Sequence, residues 1–515
     1  MLAQLEAANE RARQSEAKAH QAEVKLQLSD MRVKQLEEQI RLLRIQKYGP
    51  HGERLSVAQL ELFEGEPSAT LDEAAAEAAR GPLPEVPAEP KRKKKRRAHP
   101  GRQTLPENLP RVVTTIPCEP AQCVCSECGE ATVVIGYEQS ERLDVEPAKF
   151  FAAVTRREKR ACAACKRAGV ATAAAPAPII EKGIASDRVV IDTVVAKYCD
   201  HLPLYRQSAM LLRDAGVAIG RMTMDGWVMR VGELLGPIAQ AMRREILRSS
   251  YIQADETTVD VQTPGEKKGR NHQAYLWQFG RPHGMVVFEF AMGRGGSVAR
   301  TVLAGYQGLL QTDGYAGYHG VAWPGVVQAG CWAHARRYFI DAVKVNARDA
   351  LAVEFVERID ALFAVERRAR EANLSAASRM EMRTAESAPL VAELRERLKA
   401  VKDTVLPKSK LGEGIHYTLA QWSKLDRFLV HAELDLSNNL AENAMRGAVL
   451  GRKNWLHIGS VAAGPKVAAI LSVVESCKRM GIPARDYLAA VLPGLAQRKL
   501  GEMAALTPAA WLARR

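Results

Sequence analysis

Between residues 251 and 293 three extended segments follow one another: YIQADETTVDVQ, HQAYLWQFGR and GMVVFEFAMG. Only the Gly-containing turns TPGEKKGRN and RPHG separate them, so neighbouring segments are expected to pair antiparallel. A helical stretch, SVARTVLAGY, comes next. A fourth strand in GLLQTDGYAGY and a fifth in GVVQAGCWAHARRYF follow, the last running into a helix. Crossovers of this kind return the chain parallel. The middle of the first segment is anomalous. Tyr251, Ile252, Thr257, Thr258, Val259 and Val261 favour an extended backbone, yet Asp255 and Glu256 stand between them. Carboxylates are depleted from strands and seldom buried without a partner. Either this is an edge strand with a charged face, or something neutralises the pair.

Three antiparallel strands followed by crossovers to parallel ones is the layout of a ribonuclease-H-like α/β domain, with its first strand central. That layout sets Asp255 beside Asp313, at the end of the fourth strand. Two carboxylates held together repel unless a proton or a cation lies between them. Two Mg²⁺ ions roughly 4 Å apart are the usual solution in phosphoryl transfer. Mg²⁺ prefers oxygen ligands and retains waters, so two or three carboxylates suffice. Glu256 points to the opposite face from Asp255 and is expected to be structural.

The chain, at 515 residues, has room for several cores. Its net charge of +14 and pI near 9.3 point to a polyanionic partner, with nucleic acid the leading candidate. No apolar run approaches the ~20 residues of a membrane span, so no membrane partner is expected. Nine cysteines without an export signal suggest a reducing compartment, where cysteine pairs bind metal more often than they form disulfides.

The expected organisation is multidomain α+β. Residues 1–47 lack Gly and Pro and carry a heptad seam through Leu5, Ala12, Ala19, Leu26, Val33 and Ile40, a coiled-coil oligomerisation helix. Residues 48–110 read as a linker with a basic arm, Lys91, Arg92, Lys93, Lys94, Lys95, Arg96 and Arg97, suited to phosphates. Residues 111–185 hold two CxxC knuckles, Cys125/Cys128 and Cys162/Cys165, a zinc-ribbon-like module for one tetrahedral Zn²⁺. Residues 186–247 are helical, with Gly216 ending one helix and Thr223 able to cap the next. The pair suits either a helix-turn-helix for DNA or a plain helical hairpin. The ribonuclease-H-like core is expected in two parts, 248–343 and 431–475, around an all-helical insertion over 344–430. A helical tail, 476–515, closes the chain. CWAH sets Cys331 and His334 three apart, an incomplete zinc pair. Arg336, Arg337, Arg446, Arg452 and Lys453 are candidate phosphate contacts or a solvated basic face. Trp455 suits core packing better than base stacking.

In order along the chain, the zipper, the basic stretch before HPGRQTLPENLPR, the double CxxC module, KYCDHLPLYRQ, ADET, LQTDGYAGY, CWAHARRYF and LSNNLAENAMRGAVLGRKNWLHIGS resemble the DDE transposases of the insertion-sequence 66 family. The resemblance implies a catalytic triad of Asp255, Asp313 and Glu442, holding two Mg²⁺, with His334 a phosphate or metal-water neighbour. It implies cleavage at transposon ends, then attack of the freed 3′-OH on target DNA. The partners implied are double-stranded DNA, further copies of this chain and small accessory proteins encoded by the same element. The location implied is the bacterial cytoplasm, at the nucleoid. Where the commoner family form reads Asp-Asn-Asn and then Ala-Glu-Arg, this chain has Ser437-Asn438-Asn439 and Ala441-Glu442-Asn443, with Ser437 still able to cap a helix. Two other readings share the basic charge and the zinc. One is a zinc-containing DNA-binding regulator with an inactive nuclease fold; the other is a stand-alone ribonuclease-H-like DNA nuclease.

Overall fold

The computed structural model describes residues 149–161, 170–263 and 271–514 continuously, and only isolated positions before residue 149. The heptad segment 1–47 (Val33 apart), the basic run 91–97 and the knuckle cysteines Cys125, Cys128, Cys162 and Cys165 lie outside the described residues. Leu83–Ala152 clusters as one compact unit and the rest of the chain as another; the elements below belong to the second.

Strands β1 (Lys159–Ala161) and β2 (Val170–Thr172) pair antiparallel. Helices α1 (Asp187–Tyr198), α2 (Leu204–Ala215) and α3 (Arg221–Ile246) follow. Helix α2 ends as the sequence predicts, at Gly216, whose φ of 66° is left-handed and free of cost only for glycine. Helix α3 departs from expectation at its start. It starts at Arg221 after Gly220, so Thr223 lies inside it, and it runs on through Pro237 to Ile246. Met224, Val228, Val231, Leu235, Ile238, Met242 and Ile246 keep one buried stripe across the proline. Burial on both sides holds the helix where local preference would end it.

The sheet strands are β3 (Tyr251–Val261), β4 (His272–Gly280) and β5 (Val286–Ala291). After α4 (Ser297–Val302) come β6 (Gly308–Gln311) and β7 (Val326–Ala329). Their order is β5-β4-β3-β6-β7. The first three are mutually antiparallel; β6 lies parallel to β3 and β7 parallel to β6. This is the arrangement of strands expected from the sequence. The chain is then helical through α5 (Trp332–Val345), α6 (Ala350–Glu371), α7 (Ala376–Met382), α8 (Ala388–Val401), α9 (Lys410–Ala420) and α10 (Trp422–Leu425). Helix α11 (Asn439–Trp455) leads into β8 (His457–Ile458), which adds parallel to the end of β3. The chain closes with α12 (Gly464–Arg479), α13 (Ala484–Val491) and α14 (Pro508–Leu512).

Helices cover both faces of the sheet, because residues alternate along each strand. Ile252, Ala254 and Leu310 join a core with α1, α3, α12 and α13. Tyr251 and Leu309 join a second core with α5, α6, α8 and α9. Ser472 and Ser476 of α12 accept hydrogen bonds from the Phe288 and Val286 amides, at 2.8 and 2.9 Å, and so occupy the free edge of β5. The boundary expected between 475 and 476 therefore falls inside a helix packed on the sheet. Among the described residues no helix is long and apolar enough to cross a membrane.

Candidate active site

Strand β3 pairs with β4 from Gln253 to Val261 along one edge. Along the other, β6 covers only Tyr251 to Gln253, and β8 only Asp260 and Val261. Between them the edge has no strand neighbour, and an open edge must be covered by something else. Helix α11 supplies the cover. Its Arg452 donates to Thr257 Oγ1 at 3.0 Å, to Thr258 Oγ1 at 2.9 Å and to the Thr258 carbonyl. Asp255 lies in this gap.

Asp255 Oδ1 accepts a hydrogen bond from the Glu256 amide at 2.9 Å. Burial pushes its carboxyl well above the usual carboxylate range, and the charges of Glu442, Glu256 and Asp313 push it further. Asp313 follows β6 in a tight turn, its Oδ1 accepting from the Tyr315 amide at 2.9 Å and its carbonyl from the Tyr417 hydroxyl at 2.5 Å. Gly314, with φ of 91°, makes that turn possible. Glu442 stands in the first turn of α11, which begins at Asn439 rather than at a Ser437 cap. Arg337 Nη2 donates to Glu442 at 3.1 and 3.4 Å, and His334 Nδ1 lies 3.5 Å from Oε1. Burial lowers the His334 pKa, against the pull of Glu442, and so favours the neutral imidazole.

Asp255, Asp313 and Glu442 thus come from three separate elements into one field. Among the described residues no three His, Cys, Asp or Glu side chains converge closely enough to enclose an ion, and Glu442 is turned toward Arg337. The chemistry of the donors nevertheless fits a hard divalent cation. All three are carboxylates, and the cost of charging Asp255 amid its neighbours is the cost such a cation removes.

Glu256 belongs to the other face, as strand alternation requires. Its side chain is 1% exposed and paired. Arg294 donates to Oε1 through Nε at 2.9 Å and Nη2 at 2.6 Å, and the Tyr318 hydroxyl donates to Oε2 at 2.8 Å. The Arg294 guanidinium also stacks 3.8 Å over the Tyr315 ring. The adjacent acids therefore have different solutions: Glu256 has a guanidinium, and Asp255 has other carboxylates.

The basic residues divide in the same way. Arg337 is half exposed beside Glu442, and Lys453 is exposed. Arg336 is buried and forks onto the partly exposed Asp360 at 2.5 and 2.9 Å, tying α5 to α6. Arg452 is spent on β3, and Arg446 is half-buried on α11. Cys331 is buried, its thiol pushed up to about 12 by burial, and the Asn438 amide donates to its sulfur at 3.4 Å. A thiol so shielded is a poor metal ligand. Trp455 packs half-buried against the larger core. Sequence reasoning passed over Gln253 and Gln311, buried two positions before Asp255 and Asp313 and bonded to each other at 2.9 Å. The signal was present: both strands read Gln-x-Asp, which sets glutamine and aspartate on one face.

A family profile described as Transposase IS66 family matches residues 182–466. Another, the zinc-finger binding domain of transposase IS66, matches 122–166, and a third, Transposase C of IS166 homeodomain, matches 35–114. Two similar chains come from Sinorhizobium fredii (strain NBRC 101917 / NGR234). Uncharacterized protein y4qI is 36% identical over 433 residues, 81% of this chain and 78% of its own length. Uncharacterized protein y4hP is 29% identical over 505 residues, 92% of this chain and 88% of its own. The three profiles follow one another along the chain in the order of a transposase's modules, with the one covering over half its length spanning Asp255, Asp313 and Glu442. The chain belongs to the IS66 family of insertion-sequence transposases, proteins that act on DNA.

Proposed function

We propose that this transposase cleaves and joins DNA with Asp255, Asp313 and Glu442 on a ribonuclease-H-like core. The observation that carries the reading is the placing of Asp255 at the unpaired stretch of the β3 edge, close enough to Glu442, Glu256 and Asp313 for their charges to oppose its own. A field so costly is kept where a cation is to be bound. The strand order β5-β4-β3-β6-β7 supports the fold assignment. The three carboxylates would hold two Mg²⁺, which when bound supply charge neutralisation and water activation to phosphoryl transfer. Arg337 and Lys453 would bind backbone phosphates and orient the strand, and Arg446 would assist them. His334, kept neutral, offers a ring nitrogen that can take a proton. Hydrolysis of a phosphodiester at the element's end releases a 3′-OH. That hydroxyl then displaces a target phosphodiester in line, losing its proton as the departing 3′ oxygen gains one.

The same reading assigns one Zn²⁺ to Cys125, Cys128, Cys162 and Cys165, and phosphate contacts to residues 91–97. It assigns end recognition to the pair α2–α3 and self-association to residues 1–47. The test is strand transfer on the element's own terminal repeats. Glu442→Gln should abolish Mg²⁺-dependent cleavage and joining while leaving DNA binding nearly intact. A regulator would show no cut in the unmutated chain, and a stand-alone nuclease would cut without joining. A Glu442→Gln variant that cleaves normally removes the triad.

A further inference from the structure

The segment from residue 428 to 438 connects the helical stretch α5–α10 to the helix that carries Glu442. Its main chain is held at nearly every step. Arg383, 0% exposed, opens a π turn, Arg383–Ser387, between α7 and α8. Its guanidinium has five N–H donors, and each has a partner. Nη1 donates to the Phe428 carbonyl at 2.8 Å and the His431 carbonyl at 3.0 Å. Nη2 donates to the Leu434 carbonyl at 2.7 Å and to Glu366 Oε2 at 3.0 Å, while Nε donates to Glu366 Oε1 at 2.6 Å. Arg379 holds the same Glu366 at 2.8 Å and reaches Asp435 Oδ1 at 3.2 Å.

The far end of the segment is fastened to the strands. Gln311 Nε2 donates to the Asp435 carbonyl at 2.7 Å, the Trp332 amide to the Leu436 carbonyl at 2.8 Å, and Gln253 Nε2 to the Ser437 carbonyl at 3.0 Å. Tyr251 closes the cluster, its hydroxyl donating to Gln311 Oε1 at 2.5 Å. Gln253 and Gln311 stand two residues before Asp255 and Asp313, and α11 begins two residues after Ser437. The bonds that locate the start of α11 are therefore made by the same strand segments that carry the other two acids.

We propose that Arg383 is a positioning residue for Glu442. With Gln253 and Gln311 it fixes the segment 428–438, so that α11 starts at one set place beside Asp255 and Asp313. The helical segment between β7 and α11 is on this view a strut for the third acid. The inference rests on the carboxylate reading above. It depends on the planar fork of arginine: a lysine ammonium could pair with Glu366 but could not also bond three carbonyls in different directions.

The test uses the full chain and Mn²⁺ as probe, with bound and free Mn²⁺ separated by electron paramagnetic resonance. Thermal unfolding is followed in parallel, so that affinity is measured well below each melting point. Arg383→Lys and, independently, Gln253→Met should each weaken Mn²⁺ binding about tenfold, the cost usual for losing a group that orients a ligand. A purely structural role would lower the melting point and leave the affinity of the folded protein unmoved. Asp255→Asn separates the two levels of the argument. If it abolishes binding while both positioning variants bind as the unmutated chain does, the strut is refuted and the carboxylate reading stands. If Asp255→Asn leaves binding unchanged, the carboxylate reading falls and the strut with it. Should Arg383→Lys fail to fold, Gln253→Met decides: a tenfold loss supports the proposal, and unchanged affinity overturns it.

Discussion

Replacing Arg294 by Met isolates what neutralises Glu256. The substitution keeps an unbranched stem but removes the guanidinium that stacks on Tyr315, and with it the two bonds at 2.9 and 2.6 Å. Only the Tyr318 hydroxyl, at 2.8 Å, would then face a carboxylate that is 1% exposed. Breaking a fully buried pair costs about 3–5 kcal/mol. The Arg294 side chain is 44% exposed, so water can enter the vacated position, and about 2 kcal/mol is expected instead. Burial already raises the Glu256 pKa against the opposing pull of Arg294, and losing Arg294 raises it further. The sign follows from linkage. A carboxyl whose folded pKa lies above its unfolded value, about 4.3, costs no stability below that value. The deficit of the variant must therefore open as pH rises through the raised pKa that Glu256 already has beside Arg294, and level off above the variant's own, higher pKa. Thermal unfolding at pH 4 and pH 8 reads this directly: little difference at the lower pH, and a melting point lower by about 4 °C at the higher. Glu256→Gln in the Arg294→Met background should recover part of the loss at pH 8, because the orphaned charge is gone. A deficit equal at both pH values, or a double variant no better than Arg294→Met, would refute the assignment of the pair.

Metal analysis of protein purified without chelator should find about one zinc per chain, and Cys125→Ser with Cys128→Ser should lose it and destabilise residues 111–185. Undiminished zinc in that variant would move the site elsewhere. Removing residues 1–47 should lower the oligomeric state and impair joining of paired ends more than binding to a single end. An unchanged mass by light scattering would contradict it.

The path of the chain through the sheet was legible because short Gly turns and strand-length runs leave few topologies open. The separation of Asp255 from Glu256 was legible for a simpler reason, the alternation of side chains along β3. Partner choice was not. Arg336 and Arg337 look equivalent in the sequence, yet successive helical residues point about 100° apart. One enters the core against Asp360, and the other stays beside Glu442. Pro237 is a related case, since local preference would end a helix that tertiary burial continues. Arg383 is hardest of all, one arginine among many in a helical stretch. Its importance lies in three carbonyls from 45 to 51 positions downstream, which no local pattern announces.

The long reach between Gln253 and Ser437, 184 positions, has a consequence for synthesis on the ribosome. At about 5–20 residues per second, some 10–40 s separate the appearance of β3 from that of the segment that completes its edge. Over roughly the last two thirds of that interval the nascent chain carries Asp255 and Asp313 but not Glu442. A copy of the gene interrupted anywhere in the helical stretch would leave its product in that state permanently, with the strands β3–β7 present and the third acid missing. Damage of this kind removes the proposed third acid together with Arg446 and Lys453, while the product keeps the sequence of the basic run 91–97 and of the four knuckle cysteines.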